Sequence, residues 1–155
     1  MSLVIENKLD RDIRVKIAGR VLDPEYYDYL TRMIEKLGLK EHVEFCKERE
    51  IRSIYKEAKI LWNPSKGYFG IVNVEAMNFG VVPIALPNYA DTVINSKTGF
   101  IAFSTRDFVE KAALILTNES LRKALSRNAV AFSYSFTEDA FKSKFKTLLE
   151  KVLNS

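Results

Sequence analysis

The chain has 155 residues, with 24 Lys or Arg against 20 Asp or Glu, a net charge of +4, one histidine and one cysteine. That is the size of a single domain, large enough to bury about two-thirds of its unfolded surface without disulfides or metals. One Cys and one His exclude an internal disulfide and a Cys- or His-clustered metal site, and a charge this mild does not imply nucleic acid.

The elements read in chain order as alternating strand and helix. Ile13 to Ala18 alternates apolar and polar residues and stops at Gly19, a strand signal. Asp23 and Pro24 open a helix over Glu25 to Leu37, which Gly38 closes. Tyr26, Leu30, Met33, Ile34 and Leu37 form its apolar stripe. A short strand over His42 to Cys46 and a helix over Glu50 to Ala58 follow. Ile60-Leu61-Trp62 reads as a buried strand that ends at Asn63-Pro64-Ser65. Ile71 to Phe79 is helical and closed by Gly80; Val82 to Leu86 and Gly99 to Phe103 are strands. Three helices complete the chain, over Asp107 to Leu116, Glu119 to Phe132 and Glu138 to Leu153, the last capped by Thr137. This alternation predicts parallel strands joined by right-handed crossovers in a layered α/β sheet. Ligands bind such sheets at the carboxyl ends of the strands, here the loops after Ala18, Cys46, Trp62, Leu86 and Phe103.

No apolar run reaches the roughly 18 residues of a membrane helix. Met1 to Lys8 has no basic stretch followed by an apolar one, so no signal peptide is expected and the compartment reads as cytoplasmic.

Lys59 to Ser104 holds only five charged residues: Lys59, Lys66, Glu75, Asp91 and Lys97. Such a stretch is foremost the centre of a buried sheet. Glu75 stands one helical turn after Ile71 and one before Phe79. A carboxylate in an apolar stripe is a paired structural group or a ligand-binding one at a cleft. Ser65 to Gly70 leads from a strand into that helix. Gly67 and Gly70 allow close backbone approach, and the helix start with Lys66 suits an anion such as phosphate. It is neither a Walker A nor a G-x-G-x-x-G motif.

Tyr68-Phe69-Gly70-Ile71-Val72-Asn73-Val74-Glu75-Ala76-Met77-Asn78-Phe79-Gly80-Val81-Val82-Pro83-Ile84-Ala85 resembles the F-G-L-x-x-x-E-A-M-A-x-G-x-P-V-I-A signature of the retaining, group 1 glycosyltransferases. These enzymes have two Rossmann-like domains, the GT-B architecture. Flanking segments resemble the family in order. Ile54 to Ser65 is similar to L-Y-x-x-A-D-V-x-V-x-P-S, Thr98-Gly99-Phe100 to T-G-F, and Asn118 to Ala129 to D-P-x-L-R-x-x-L-x-x-N-A. Phe136-Thr137 opens a last helix as the family's F-S/T-W does.

The resemblance implies that residues 1–155 are one donor-binding, Rossmann-like domain: half of a GT-B fold, with a mostly parallel sheet and a helical C-terminus. It implies transfer of a hexose, with retention, from a UDP- or GDP-linked donor to a glycan, lipid or other acceptor, without metal or cofactor. Glu75 matches the second Glu of the family's E-x7-E motif, which holds the ribose hydroxyls. Phe69, Gly70 and Ile71 match the loop that meets the diphosphate and sugar, beside Lys66 and Gly67. Cys46 and Lys47 match the region that contacts the base.

Three departures stand out. Gly67 occupies the position of the first motif Glu, so no catalytic residue is assigned. Pro87-Asn88 replaces a Gly-Gly pair. Ile13 to Ala18 resembles the family's second strand, so the first strand-helix unit and the N-terminal acceptor domain are expected to be missing here. Leu3-Val4-Ile5, or a second copy of the chain in a homo-oligomer, is expected to fill the place of that strand. The isolated chain is accordingly expected to bind nucleotide and transfer nothing. The competing reading is a non-catalytic nucleotide-binding or interaction module that kept the fold and lost the site. His42 reads as a strand-edge residue and Cys46 as a small side chain in packing. Phe132, Tyr134, Phe136, Phe141 and Phe145 read as core and helix-docking residues. Lys142, Lys144, Lys146 and Lys151 read as a solvated helix face, with peripheral contact to the inner face of a membrane as the alternative.

Overall fold

The computed structural model describes residues 13–64, 69–89 and 91–153. Among the described residues five strands, β1 (Val15–Ala18), β2 (Val43–Cys46), β3 (Ile60–Asn63), β4 (Val82–Ala85) and β5 (Phe100–Ile101), are joined by α-helices. These are α1 (Pro24–Lys36), α2 (Ile51–Glu57), α3 (Ile71–Asn78), α4 (Thr105–Thr117), α5 (Glu119–Ser133) and α6 (Glu138–Leu153). Every strand pairing is parallel, so the expected α/β class with a helical C-terminus stands. The strands form two sheets, β1-β2 and β3-β4-β5. The chain divides into two compact units, residues 1–57 and 58–155. Leu3-Val4-Ile5 lies outside the described residues.

In the first unit, local signals set the helix. The Asp23 carboxylate accepts the Tyr26 N–H at 3.0 Å, Pro24 occupies the first turn, and Gly38 adopts φ +67 beyond the C-terminus. The Gly38 N–H donates to Glu35 and the Leu39 N–H to Ile34, which satisfies the last carbonyls. Packing is sparse: Tyr27 meets Phe45 at 4.8 Å between ring centres, and Tyr55 is the one buried residue in the described part of this unit. The stripe expected to dock α1 is not buried. Tyr26 is 58% exposed and Leu37 57%, and no residue of α1 is buried.

The second unit holds the core. Alternate residues of β4 and β5 face opposite sides, as the pleat requires. Val82, Ile84, Phe100 and Ala102 pack under Phe108, Ala112 and Ile115 of α4. Ala85 and Ile101 pack under Met77 of α3 and Ala129 of α5. All of β4 is buried, which is why Val82 to Ala85 reads as continuously apolar. Only Phe100 and Ile101 of the expected last strand pair with β4. α3 ends as its sequence predicts: Gly80 takes φ +76, its N–H donates to Met77, and the Val81 N–H reaches back to Ala76. Ser126 of α5 then donates to the Gly80 carbonyl at 2.7 Å, docking α5 on that turn.

The aromatic expectation is corrected in part. Phe132 and Phe136 meet edge to face at 5.3 Å, but Tyr134, Phe141 and Phe145 are 62%, 66% and 50% exposed. α6 buries no residue at all. Its lysines are partly paired along the helix, Lys142 with Glu138 at 2.6 Å and Lys146 with Glu150 at 4.0 Å. Among the described residues no helix is long and apolar enough to cross a membrane.

Candidate functional site

The carboxyl edge of the β3-β4-β5 sheet carries the candidate site. There the chain leaves β3 at Asn63 and returns through Phe69 and Gly70 into α3. Gly70 is the N-cap of α3, with no side chain to satisfy the helix's first N–H groups. The backbone closes part of the turn: the Ile71 N–H donates to Phe69 and the Asn73 N–H to Gly70, both at 2.9 Å. The first turn holds no acidic residue, so no side chain of that turn offsets the positive end of the helix dipole, which favours an anion.

Glu75 lies one turn further on, and its residue is exposed. Ile71 and Phe79, its neighbours on the stripe, are 53% and 40% exposed. The stripe is therefore the outward face of α3, while Asn73, Val74, Ala76 and Met77 form the buried one. That removes the reading of Glu75 as a structural buried carboxylate. Among the described residues no hydrogen bond or ion pair engages it. An exposed, unpaired carboxylate near an uncapped helix start can accept hydroxyl hydrogen bonds from a polyol while the helix end receives an anion.

Phe69 is 57% exposed, and its ring stands 6.2 Å from that of Phe136, which fastens the turn before α3 to the segment before α6. Lys66 and Gly67 lie outside the described residues. Lys47 belongs to the first unit and is exposed. It caps the short 3-10 turn Glu48–Glu50, where its N–H donates to the Glu50 carboxylate at 2.8 Å. Cys46 is partly buried, and burial, then the Glu44 carboxylate, push its thiol up, opposite to what a nucleophile needs. His42 donates from Nδ1 to the Ile13 carbonyl at 3.1 Å, a strand-edge role as expected.

An open, mostly apolar pocket of about 400 Å3 lies between the ends of β3 and β4 and the start of α4. Trp62, Pro64, Leu86, Thr105 and Phe108 line it, and Trp62 tilts against Phe108 at 6.4 Å. None of Glu75, Phe69, Gly70 or Ile71 does.

Sequence reasoning passed over one group of residues. Asn63, Asn73 and Thr92 are 5%, 0% and 1% exposed and bonded in a row. The signal was present: Asn73 is the polar residue in the apolar run Ile71-Val72-Asn73-Val74, but in the motif it stands at an unspecified position.

Comparison with known proteins bears on the family and the fold. The α-1,2-mannosyltransferases named GDP-Man:Man(3)GlcNAc(2)-PP-Dol alpha-1,2-mannosyltransferase are similar to it. The one from Homo sapiens is 31% identical over 137 residues, covering 79% of this chain. The one from Dictyostelium discoideum is 24% identical over 139 residues, covering 85% of this chain. This chain spans only 27% and 28% of their lengths. Among solved structures, Anabaena Alr3699/HepE in complex with UDP superimposes with a TM-score of 0.82 at 18% identity, covering 97% of this chain and 43% of that one. The likeness shows a shared GT-B-type fold. The family model described as "Glycosyl transferases group 1" matches residues 3–132. By that match, and by the human relative, the chain belongs to the group 1 glycosyltransferases.

Proposed function

We infer that this chain is the donor-binding half of a retaining glycosyltransferase that takes a hexose from a nucleoside-diphosphate sugar. The observation that carries the reading is Glu75, exposed and unpaired one turn inside an uncapped helix at the carboxyl edge of a parallel sheet. The diphosphate lies against the start of α3, at Phe69, Gly70 and Ile71 with Lys66 and Gly67, and the Glu75 carboxylate accepts the ribose hydroxyls. HepE's complex with UDP and the GDP-mannose named for the two mannosyltransferases support UDP and GDP as the nucleotides to test first.

Transfer requires more than donor binding. An acceptor must be held in line with the anomeric carbon, and the leaving diphosphate must be stabilised as the bond breaks. A second, acceptor-binding half supplies the first of these, so the 155 residues alone bind donor and transfer nothing. Calorimetric titration with UDP, GDP, UDP-glucose and GDP-mannose tests this. Replacing Glu75 with Ala weakens binding by about tenfold or more, the worth of hydrogen bonds to a charged group. Sugar transfer by the isolated chain would overturn the division of labour.

Gly67, where the family motif has a Glu, favours the second reading, a module that kept the fold and lost the site. No binding of any of the four nucleotides at millimolar concentration would decide for it.

A further inference from the structure

The core of the second unit contains a polar chain with no counterpart on the outward face of α3. The Asn63 Nδ2 donates to Asn73 Oδ1 at 2.9 Å, and the Asn73 Nδ2 donates to Thr92 Oγ1 at 3.1 Å. Asn73 itself is fully buried, beside Ala76 and Met77 with no exposure at all. An apolar side chain of the same shape would fill that space without placing an amide out of water, and amides are placed there only with their hydrogen bonds made. The three residues belong to three different pieces of the carboxyl edge. Asn63 ends β3, opposite Ala85 of β4. Asn73 is in the first turn of α3, its N–H bonded to Gly70 and its place two residues before Glu75. Thr92 lies in the connection that follows β4.

We propose that Asn73 is a positioning residue for the nucleoside-diphosphate sugar, tying the start of α3 to the end of β3 and to the connection after β4 through Asn63 and Thr92. This rests on the donor-binding reading of the same edge. Apolar contacts along Val74, Ala76 and Met77 hold α3 on the sheet, and the Ser126 and Ser133 hydroxyls bond its C-terminal end, but non-directional contacts at its start constrain roll less than hydrogen bonds do. Directional hydrogen bonds at its first turn fix the roll of the helix there, and with it where the start of α3 and the Glu75 carboxylate point. A misplacement of about 1 Å in such a constellation costs up to roughly a hundredfold in function.

The test separates positioning from stability. In the 155-residue chain, Asn63→Leu, Asn73→Leu and Thr92→Val are combined, which exchanges the polar chain for apolar side chains of similar shape. Both partners of each of the two bonds are removed together, so neither bond leaves one of its own groups orphaned, and the expected fall in melting temperature is smaller than for Asn73→Leu alone. Affinity for UDP-glucose or GDP-mannose, whichever the native chain binds more tightly, falls by roughly tenfold to a hundredfold. Hydrogen exchange of the Ile71 to Val74 amides speeds up. Thr92→Val and Thr92→Ser form a second, milder pair: Val weakens binding and Ser, which keeps the hydroxyl, restores it. If the triple variant does not fold, this pair decides, and equal binding by Val and Ser overturns the proposal. A folded triple variant that binds as tightly as the native chain overturns it too, while the donor-binding reading stands. If the native chain binds none of the nucleotides, the donor-binding reading fails and the proposal with it.

Discussion

The two units are built by the same grammar, and their described residues are buried to very different degrees. Each has parallel strands, a helix ended by a glycine at positive φ, and an N-cap that satisfies the first turn. Yet the described part of the first unit buries only Tyr55, whereas the second buries Met77, Val82, Ile84, Ile115, Leu125 and others almost completely. In β1, Val15 and Ile17 are 40% and 43% exposed; in β4 no residue is. The difference teaches that capping and strand pairing specify local structure, while stability follows the apolar surface actually covered. A two-stranded sheet is marginal by itself, and parallel pairs normally lie between covered faces.

The largest test of that contrast is a pair of truncations. Ile84→Ala, in the core of the second unit, is expected to cost roughly 2–5 kcal/mol in urea unfolding, and Ile17→Ala on β1 less than about 1 kcal/mol. Equal losses would break the comparison.

The next pair uses the two helix-ending glycines. An alanine at either Gly38 or Gly80 adopts the left-handed region at a cost of about 1–2 kcal/mol. At Gly38 the new methyl meets open space, but at Gly80 it lies 2.8 Å from the Ser126 Oγ that bonds the same residue's carbonyl. Gly80→Ala therefore adds about 1–3 kcal/mol of overpacking that Gly38→Ala does not. Thermal melts of both variants measure the gap.

Helix caps sharpen the point. Ser104→Ala removes the acceptor of the Asp107 N–H and is expected to lower the stability of the main transition by about 1 kcal/mol. Asp23→Ala removes an equivalent cap from α1. Its expected effect is faster hydrogen exchange in α1 with little change in the main transition, since no residue of that helix is buried. A full shift of the main transition by Asp23→Ala would show that the two units unfold together.

The smallest expected effect is on pH. Hydrogen bonds from Arg122 hold Glu119, at the start of α5, at about 2. Hydrogen bonds from Lys111 and the Phe103 N–H hold Asp107 of α4 below its usual value. Both pKa values are depressed on folding, so their stabilisation is complete above the ordinary carboxylate range. For Glu119 it is lost as pH falls from about 4.5 to about 2. The difference in melting temperature between the native chain and Glu119→Gln is expected to shrink across that window.

Much of the fold was legible in the residues themselves. Asp23, Pro24 and Gly38 bracket α1, Gly80 ends α3, and the fully apolar Val82 to Ala85 marks the covered strand. The site was legible in part. Glu75 and the Phe69-Gly70-Ile71 turn stand together at the start of α3. Lys47 is in the other unit, and Asn63, Asn73 and Thr92 went unnoticed because their bonds join positions 10 and 19 residues apart.

The sequence by itself determined where most elements lie, that the strands run parallel, and that the chain resembles the group 1 glycosyltransferases. Those signals act within a turn or two of backbone, or along one contiguous motif. Only the tertiary structure decided which faces are covered. α3 is apolar nearly all round, so its period could not choose between the Ile71-Glu75-Phe79 stripe and the one through Asn73 and Met77. β4 and α5 made the choice by packing on the second, which turned Glu75 outward and buried Asn73. On α1 the period marks a clear stripe, yet a stripe becomes core only where a neighbour covers it, and among the described residues that stripe remains open.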